Sequence, residues 1–264
     1  MLISEISYQT VGRFVLELRS DHHNCNEITV NSYLRGVRVF LYYCMDMGYL
    51  DHFKITIPKA DKKLKETYSD AELKVLLKKP DLKSCDFSEY KVWVFSNYLL
   101  GTGNRISTAL DLKIGDIDFV NGLIQLNHTK NRTSQLIPLS PALDKILKEY
   151  LRYRKGESKD YVFCNSFGGK WDKRTCQEML AAYNRGKGVE KTSAHLYRHT
   201  FAKKWILNGG DIFRLQKVLG HSDLAVVKEY VQMFGQDLAV DFDKFNPLDR
   251  TVAPNGNRKL TMTL

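Results

Sequence analysis

His195-Leu196-Tyr197-Arg198-His199-Thr200-Phe201-Ala202 spaces its polar groups at helical intervals. On a helix, positions i and i+3 share a face, so His195 and Arg198 can address one target. His195 and His199 stand at i and i+4, a spacing that can also ligate a metal. No acidic or cysteine ligand lies nearby in sequence, however, and His-Glu-x-x-His is absent, so no metal is assigned. For this segment alone, a histidine satisfied in a helix interface is the plainer reading. Four other segments carry similar chemistry. Thr102-Gly103-Asn104-Arg105-Ile106-Ser107 sets an arginine at a helix start after a glycine turn. His128-Thr129-Lys130-Asn131-Arg132 sets Lys130 at a tip between two strands. Leu219-Gly220-His221-Ser222-Asp223 puts His221 just before a helix N-terminus, where unpaired N–H groups and the helix dipole favour anions. Tyr230 follows two turns into that helix, one of fourteen tyrosines and unremarkable alone.

Around these segments the chain is mostly helical. Residues 7–20 place Val11, Phe14, Val15 and Leu18 at helical spacing, and residues 29–48 do so with Val30, Leu34, Val37, Phe40, Leu41 and Cys44, Thr29 serving as N-cap. Residues 51–66 hold Pro58 and five lysines without an apolar period, as a linker does. Ser69-Asp70-Ala71-Glu72 fits a capping box. Helices are expected over 89–100 and 105–112. Three strands follow, over 116–120, 123–127 and 134–139, the first two joined by the hairpin signal Asn121-Gly122. Ser140-Pro141 caps the next helix. The remainder predicts helices at 141–155, 173–185, 194–208, 211–219 and 223–234, one more short helix within 235–246, and a loose tail from Pro247. The fold class expected is α+β, mostly helical, with a small three-stranded antiparallel sheet.

Composition narrows the function classes. The 264 residues are 43% hydrophobic and 27% charged, enough to build a core, and they carry a net charge of +10. Residues 1–66 hold nine basic and eight acidic side chains, whereas 145–191 hold twelve and six. Such a surface is either simply solvated or meets a polyanion across the second part of the chain. No apolar run approaches the ~20 residues of a membrane span, and no basic-then-apolar leader opens the chain. The five cysteines are scattered and form no Cys-x-x-Cys, so a reduced, cytoplasmic setting is expected.

Taken together, the motifs resemble the tyrosine recombinase, or phage integrase, family. The resemblance rests on T-G-N-R-I-S-x-A-L-x-L at Arg105, Lys130 at its strand turn, H-L-Y-R-H-T-F-A at His195 and Arg198, L-G-H-S-D at His221, and Tyr230 nine residues beyond His221. They occur in the family's order. The resemblance covers about 67–246 strongly and 1–66 in part. It implies a catalytic domain over 67–246, a helical DNA-clamping region over 1–53, a linker over 54–66 and a flexible tail over 247–264. It implies cleavage and rejoining of DNA through a covalent 3′-phosphotyrosine, with no cofactor, metal or ATP. Tyr230 would be the nucleophile and His195 the general base. Arg105 and Arg198 would clamp the phosphate, Lys130 would protonate the leaving oxygen, and His221 would hydrogen-bond the phosphate. Lys170, Lys173, Arg174 and Arg132 would contact double-stranded DNA. The family also implies a tetramer on DNA, an accessory directionality factor in some systems, and a nucleoid-associated role for a bacterial mobile element. A resolvase or invertase, or a DNA-binding relative without catalysis, are the alternatives.

Several residues depart from the family pattern. Asn104 stands where an apolar residue is usual before the arginine, and Val231-Gln232 follow the nucleophile in place of Thr-His. Residues 7–48 match only the last two helices of a usual four-helix clamp. A two-helix clamp is expected to bury little core and to grip DNA weakly. Apolar residues of 235–264, among them Leu238, Val240, Phe242 and Phe245, would dock on a neighbouring subunit or fold back in cis.

Overall fold

The computed structural model describes residues 2–20, 23–58, 66–127, 134–220 and Tyr230. It divides into two compact units, Met1–Leu64 and Lys65–Leu264.

In the first unit a 3-10 turn, Ile3–Glu5, leads into α1 (Tyr8–Arg19) and α2 (Glu27–Asp46). The N-cap of α2 is Asn26, not Thr29. The Asn26 side chain accepts the Thr29 N–H at 2.9 Å, so the helix starts earlier than its apolar period suggests. Val11 and Leu18 meet Val30, Leu34, Leu41 and Cys44, and the segment after α2 returns Leu50 and Ile55 to the same core. The Asn31 side chain donates to the Pro58 carbonyl at 2.8 Å, fixing that return. Phe40, expected inside, is exposed together with Tyr33, Val39 and Tyr43. Within this unit α2 is covered on the side facing α1 and the returning segment, and Phe40 lies off that side.

The second unit is built around α4 (Phe87–Thr102), which packs against α5 (Ile106–Leu110), α6 (Pro141–Arg154), α7 (Lys173–Gly186) and α8 (Ala194–Leu207). Its residues Tyr90, Val92, Trp93, Val94, Phe95, Tyr98 and Leu99 are buried on every side. A helix apolar all round belongs at the centre of a core. Before it, α3 (Asp70–Leu76) starts at the expected capping box. Ser69 N–H donates to Glu72 Oε2 at 2.7 Å and Glu72 N–H to Ser69 Oγ at 3.2 Å. α9 (Ile212–Leu219) closes the described helices and packs on α8.

The three strands, β1 (Ile117–Asp118), β2 (Leu123–Leu126) and β3 (Gln135–Pro138), form an antiparallel sheet in that order, as expected. The register pairs Ile124 with Ile137, and both side chains enter the core. The Asn121-Gly122 connection is not a two-residue hairpin. Asp118 pairs with Leu123, leaving residues 119–122 as the turn and shortening the first strand. The Asp118 carboxylate is the cause. It accepts Asn121 N–H at 2.9 Å, Val120 N–H at 3.0 Å and the Asn121 side-chain amide at 2.6 Å. These bonds take the backbone out of the ladder before the strand can continue.

A second tight turn, over Asn165-Ser166-Phe167-Gly168-Gly169, is one that the expected elements omit although its Asn and Gly-Gly are turn residues. Cys164 bridges Lys170, Asn165 N–H donates to the Gly169 carbonyl at 2.9 Å, and Asn165 Oδ1 accepts Phe167 N–H at 2.9 Å and Gly169 N–H at 3.0 Å. Its base is held by Lys91, a buried cation on α4 that donates to the Cys164 carbonyl at 2.9 Å and lies 4.1 Å above the Trp171 ring. The helix expected over 223–234 falls outside the described residues except at Tyr230, which is helical; the segments 235–246 and 247–264 fall wholly outside them. Among the described residues no helix is long and apolar enough to cross a membrane.

Candidate active site

Arg105 is placed by the end of α4. Gly103 caps that helix in the left-handed conformation, φ 64°, its N–H donating to the Leu99 carbonyl at 2.9 Å. Asn104 is buried and donates to the Tyr98 hydroxyl at 2.8 Å, while Thr102 Oγ1 donates to the Tyr98 carbonyl at 2.7 Å. The unusual Asn104 therefore has a structural partner inside the core. These contacts fix the turn so that Arg105 becomes the N-cap residue of α5, a helix start as expected.

α8 carries the other half of the site. It begins at Ser193, whose Oγ accepts the His195 N–H at 3.3 Å. Tyr197, one position before Arg198, points into the core and stacks obliquely on Tyr68 with ring centroids 4.7 Å apart. Asn184 on α7 supports that aromatic pair, donating to the Tyr68 hydroxyl at 2.9 Å and to the Lys191 carbonyl at 2.7 Å. Thr200 Oγ1 donates to the Leu196 carbonyl at 2.7 Å and accepts the Tyr68 N–H at 2.8 Å. The rotation of α8 about its axis is thereby locked, and with it the direction of Arg198.

Arg198 is 5% exposed. Its two terminal nitrogens donate to the carbonyls of Gly103 and Leu219, each at 2.8 Å. The guanidinium thus ties the turn before Arg105 to the end of α9, the last residues before His221. Burial, and then the nearby charge of Arg105, pull its pKa down to about 10, and Tyr230 opposes that shift. Arg105, Arg198 and Tyr230 are therefore electrostatic neighbours. His195 joins them: its pKa is lowered by partial burial, then by Arg198, Lys173 and Arg105. A neutral imidazole beside three cations can accept a proton or a hydrogen bond at pH 7.

Tyr230 is 2% exposed, its ring packed with Ala202 of α8 and Leu215 and Leu219 of α9. Its hydroxyl lies 2.7 Å from Nδ1 of His199. His199 therefore meets the tyrosine, whereas His195 faces the cations. The sequence offers His199 as a metal ligand or, more plainly, as a histidine satisfied in a helix interface, and not as a partner of the tyrosine; among the described residues no group of three His, Cys, Asp or Glu side chains is placed to hold a metal. Nothing in the sequence tells which of fourteen tyrosines meets His199, because the contact joins residues thirty-one positions apart.

Of the residues assigned to DNA contact, Lys173 opens α7 beside His195 and has no ion-pair partner among the described residues. Lys170 pairs with Asp111 and Arg174 with Glu178, at 2.9 Å in the second case. Lys130, Arg132 and His221 lie outside the described residues.

Comparison with known proteins accords with this arrangement. Residues 69–236, more than half of the chain, match the model of the phage integrase family. The tyrosine recombinase XerD of Lacticaseibacillus casei is 29% identical over 201 residues, which are 74% of this chain and 67% of that protein. XerD of Staphylococcus aureus is 26% identical over 196 residues, 72% of this chain and 65% of that one. The chain thus spans about two thirds of these relatives' length. Two solved structures share the fold. The Tn1549 transposon integrase, in complex with a circular intermediate DNA, has a TM-score of 0.72 at 19% identity, covering 86% of this chain and 82% of that one. XerH, a site-specific recombinase bound to a palindromic difH substrate, has 0.71 at 21%, covering 89% and 72%. The motifs in register, the helical unit with its small sheet, and the family match over 69–236 lead to one conclusion: this chain belongs to the phage integrase family, the tyrosine recombinases.

Proposed function

We propose that the protein is a site-specific DNA recombinase that breaks and rejoins strands through a covalent 3′-phosphotyrosine. The observation that carries this reading is the gathering of Arg105, His195, Arg198 and Tyr230 in one electrostatic neighbourhood, in a chain of this family. Phosphodiester cleavage needs a nucleophile, positive charge on the non-bridging oxygens and a proton for the departing oxygen. The planar forks of Arg105 and Arg198 suit the phosphate oxygens. Tyr230 Oη forms the bond to phosphorus as the bond to the 5′ oxygen breaks. Because the ester is transferred and not hydrolysed, rejoining needs no ATP. Lys130 protonates the 5′ oxygen and His221 hydrogen-bonds the phosphate, roles that rest on the family motif. His195 stands ready as a neutral imidazole beside the phosphate.

Double-stranded DNA is the partner this reading requires. Lys173 meets it directly. Lys170 and Arg174 exchange a carboxylate for a phosphate, at little cost because exposed pairs are worth about 0–1 kcal/mol. Arg132 joins them from the strand turn. Residues 67–246 act as the catalytic domain, 1–53 as a DNA clamp joined by the linker 54–66, and 247–264 as a tail. The working assembly is a tetramer on two duplexes, with an accessory factor setting direction, and the setting is the bacterial cytoplasm at the nucleoid. Integration or excision of a mobile element is the role proposed, in line with the transposon integrase that shares the fold. A resolvase or invertase of the same family is the second reading.

The test is covalent trapping. Wild type and Tyr230→Phe are incubated with nicked bacterial DNA, denatured in SDS, and the protein-linked DNA is sequenced. Adducts at a recurring site, absent from the variant, are expected. Salt-sensitive binding without adducts would leave a non-catalytic DNA binder.

A further inference from the structure

The reaction proposed above must take a proton from the Tyr230 phenol, a group whose ordinary pKa is about 10. A positioned acceptor within hydrogen-bond reach is the usual solution. Two histidines of α8, one turn apart, are available, and the geometry separates them. His195 is set against Arg105, Arg198 and Lys173. Its side chain makes no hydrogen bond among the described residues, and its backbone N–H is taken by Ser193. His199 has its Nδ1 2.7 Å from Tyr230 Oη, with the two rings 5.7 Å apart and tilted by 48°. That distance is ordinary for a strong hydrogen bond between a hydroxyl and a ring nitrogen. The contact is built, not incidental. The Tyr230 ring is held by Ala202, Leu215 and Leu219, with Phe201 and Trp205 at its margin, and α8 is locked by Thr200 and Tyr197 on its other face.

We propose that His199, not His195, is the residue that accepts the Tyr230 proton. The proposal rests on the recombinase reading and adds a catalytic residue to it. In the step, the phenolic proton moves to His199 Nδ1, Oη bonds to phosphorus, the P–O5′ bond breaks, and the 5′ oxygen takes a proton from Lys130 or solvent. On religation each transfer reverses, so the same imidazolium returns its proton to Oη. His199 must then carry its own proton on Nε2 in the resting protein. His195 is left to the phosphate.

Two measurements decide it. The first needs no DNA. Nitrogen NMR of histidine-labelled full-length protein, with the His199 signals assigned from His199→Asn, is expected to show Nδ1 unprotonated and shifted on Tyr230→Phe. A proton resident on Nδ1 with Nε2 bare, or no response to Tyr230→Phe, overturns the proposal. The second counts covalent adducts on a pool of nicked random-sequence duplexes. His199→Ala and His199→Asn should bind the pool as wild type does yet form adducts about 10²-fold more slowly, the lower range for losing a general base. Added imidazole should restore His199→Ala. Asparagine can keep the hydrogen bond but cannot take the proton. His199→Asn within threefold of wild type, or His199→Ala that imidazole does not restore, therefore overturns the proposal. Adducts that survive Tyr230→Phe would instead overturn the recombinase reading itself, and the NMR result would still judge His199.

Discussion

Replacing Gly103 by alanine should damage the molecule in a calculable way. Gly103 sits at φ 64°, a conformation that costs an L-residue about 1–2 kcal/mol. A Cβ there would stand 2.5 Å from Phe201 Cδ1 and 2.8 Å from Leu219 Cδ2, closer than carbon atoms approach. Both neighbours belong to the packing around Tyr230, and relieving such overpacking costs a further 1–3 kcal/mol, roughly. The sum is about 2–5 kcal/mol. At roughly 2–4 °C per kcal/mol for a unit of this size, the midpoint of thermal unfolding should fall by about 4–20 °C. Two controls apportion the loss. Gly209, at φ 74°, has nothing within 4 Å of its Cβ position, so Gly209→Ala should show the conformational cost alone. Gly101 lies within α4 with only the flexible end of Leu143 at 3.3 Å, so Gly101→Ala should be within about 1 kcal/mol of wild type, since alanine gains about 0.5–1 kcal/mol in a helix. The assay is circular dichroism against temperature for all four proteins. If Gly103→Ala and Gly209→Ala lose the same amount, the clash with Phe201 and Leu219 is not real. If Gly103→Ala melts with wild type, the left-handed cap is wrong too.

Three further outcomes can be checked separately. Asn184→Ala removes the amide that donates to both the Tyr68 hydroxyl and the Lys191 carbonyl; because the Tyr68 hydroxyl still donates to that carbonyl at 3.2 Å, the cost is that of two hydrogen bonds at about 0.5–1.5 kcal/mol each, and stability should fall by about 1–3 kcal/mol, read from urea unfolding. His195 should titrate below 6.5, and Lys173→Met should move it back upward by removing a neighbouring cation, both followed by NMR against pH; an unchanged value would refute the coupling. Because the folded-state pKa is the lower one, the stability this residue contributes is present above the unfolded value and lost as pH falls through the folded one. Lys173→Ala should lower the slope of log affinity against log salt by about one, measured on non-specific duplex, whereas a substitution at Lys79, which pairs from the loop after α3 with Glu149 of α6 at 2.6 Å, should not.

Much of this was legible in the residues because local rules dominate there. Capping at Ser69, Ser140 and Asp211 follows from side chains that reach their own backbone, and the structure starts helices at all three. Alternation and turn residues marked three strands, whose core-facing Ile124 and Ile137 meet as the pattern requires. Where a side chain competed with the backbone, local rules misled. Asn26 moved the start of α2, and Asp118 converted a two-residue hairpin into a four-residue turn. Lys91 was silent because a lysine in an apolar helix has no signature until a carbonyl and an indole face are found beside it.

The order and identity of Arg105, His195, Arg198 and Tyr230 were set down along the chain, since motif spacing is a one-dimensional property. Their mutual chemistry was not. That Arg198 spends two donors on the carbonyls of Gly103 and Leu219, and that His199 rather than His195 reaches the tyrosine hydroxyl, depends on how α4, α8 and α9 pack. Helical spacing brings both histidines to one side of α8, but only the burial of Tyr197 against Tyr68 rotates that helix to a definite angle. The angle then decides which imidazole meets the cations and which meets the phenol.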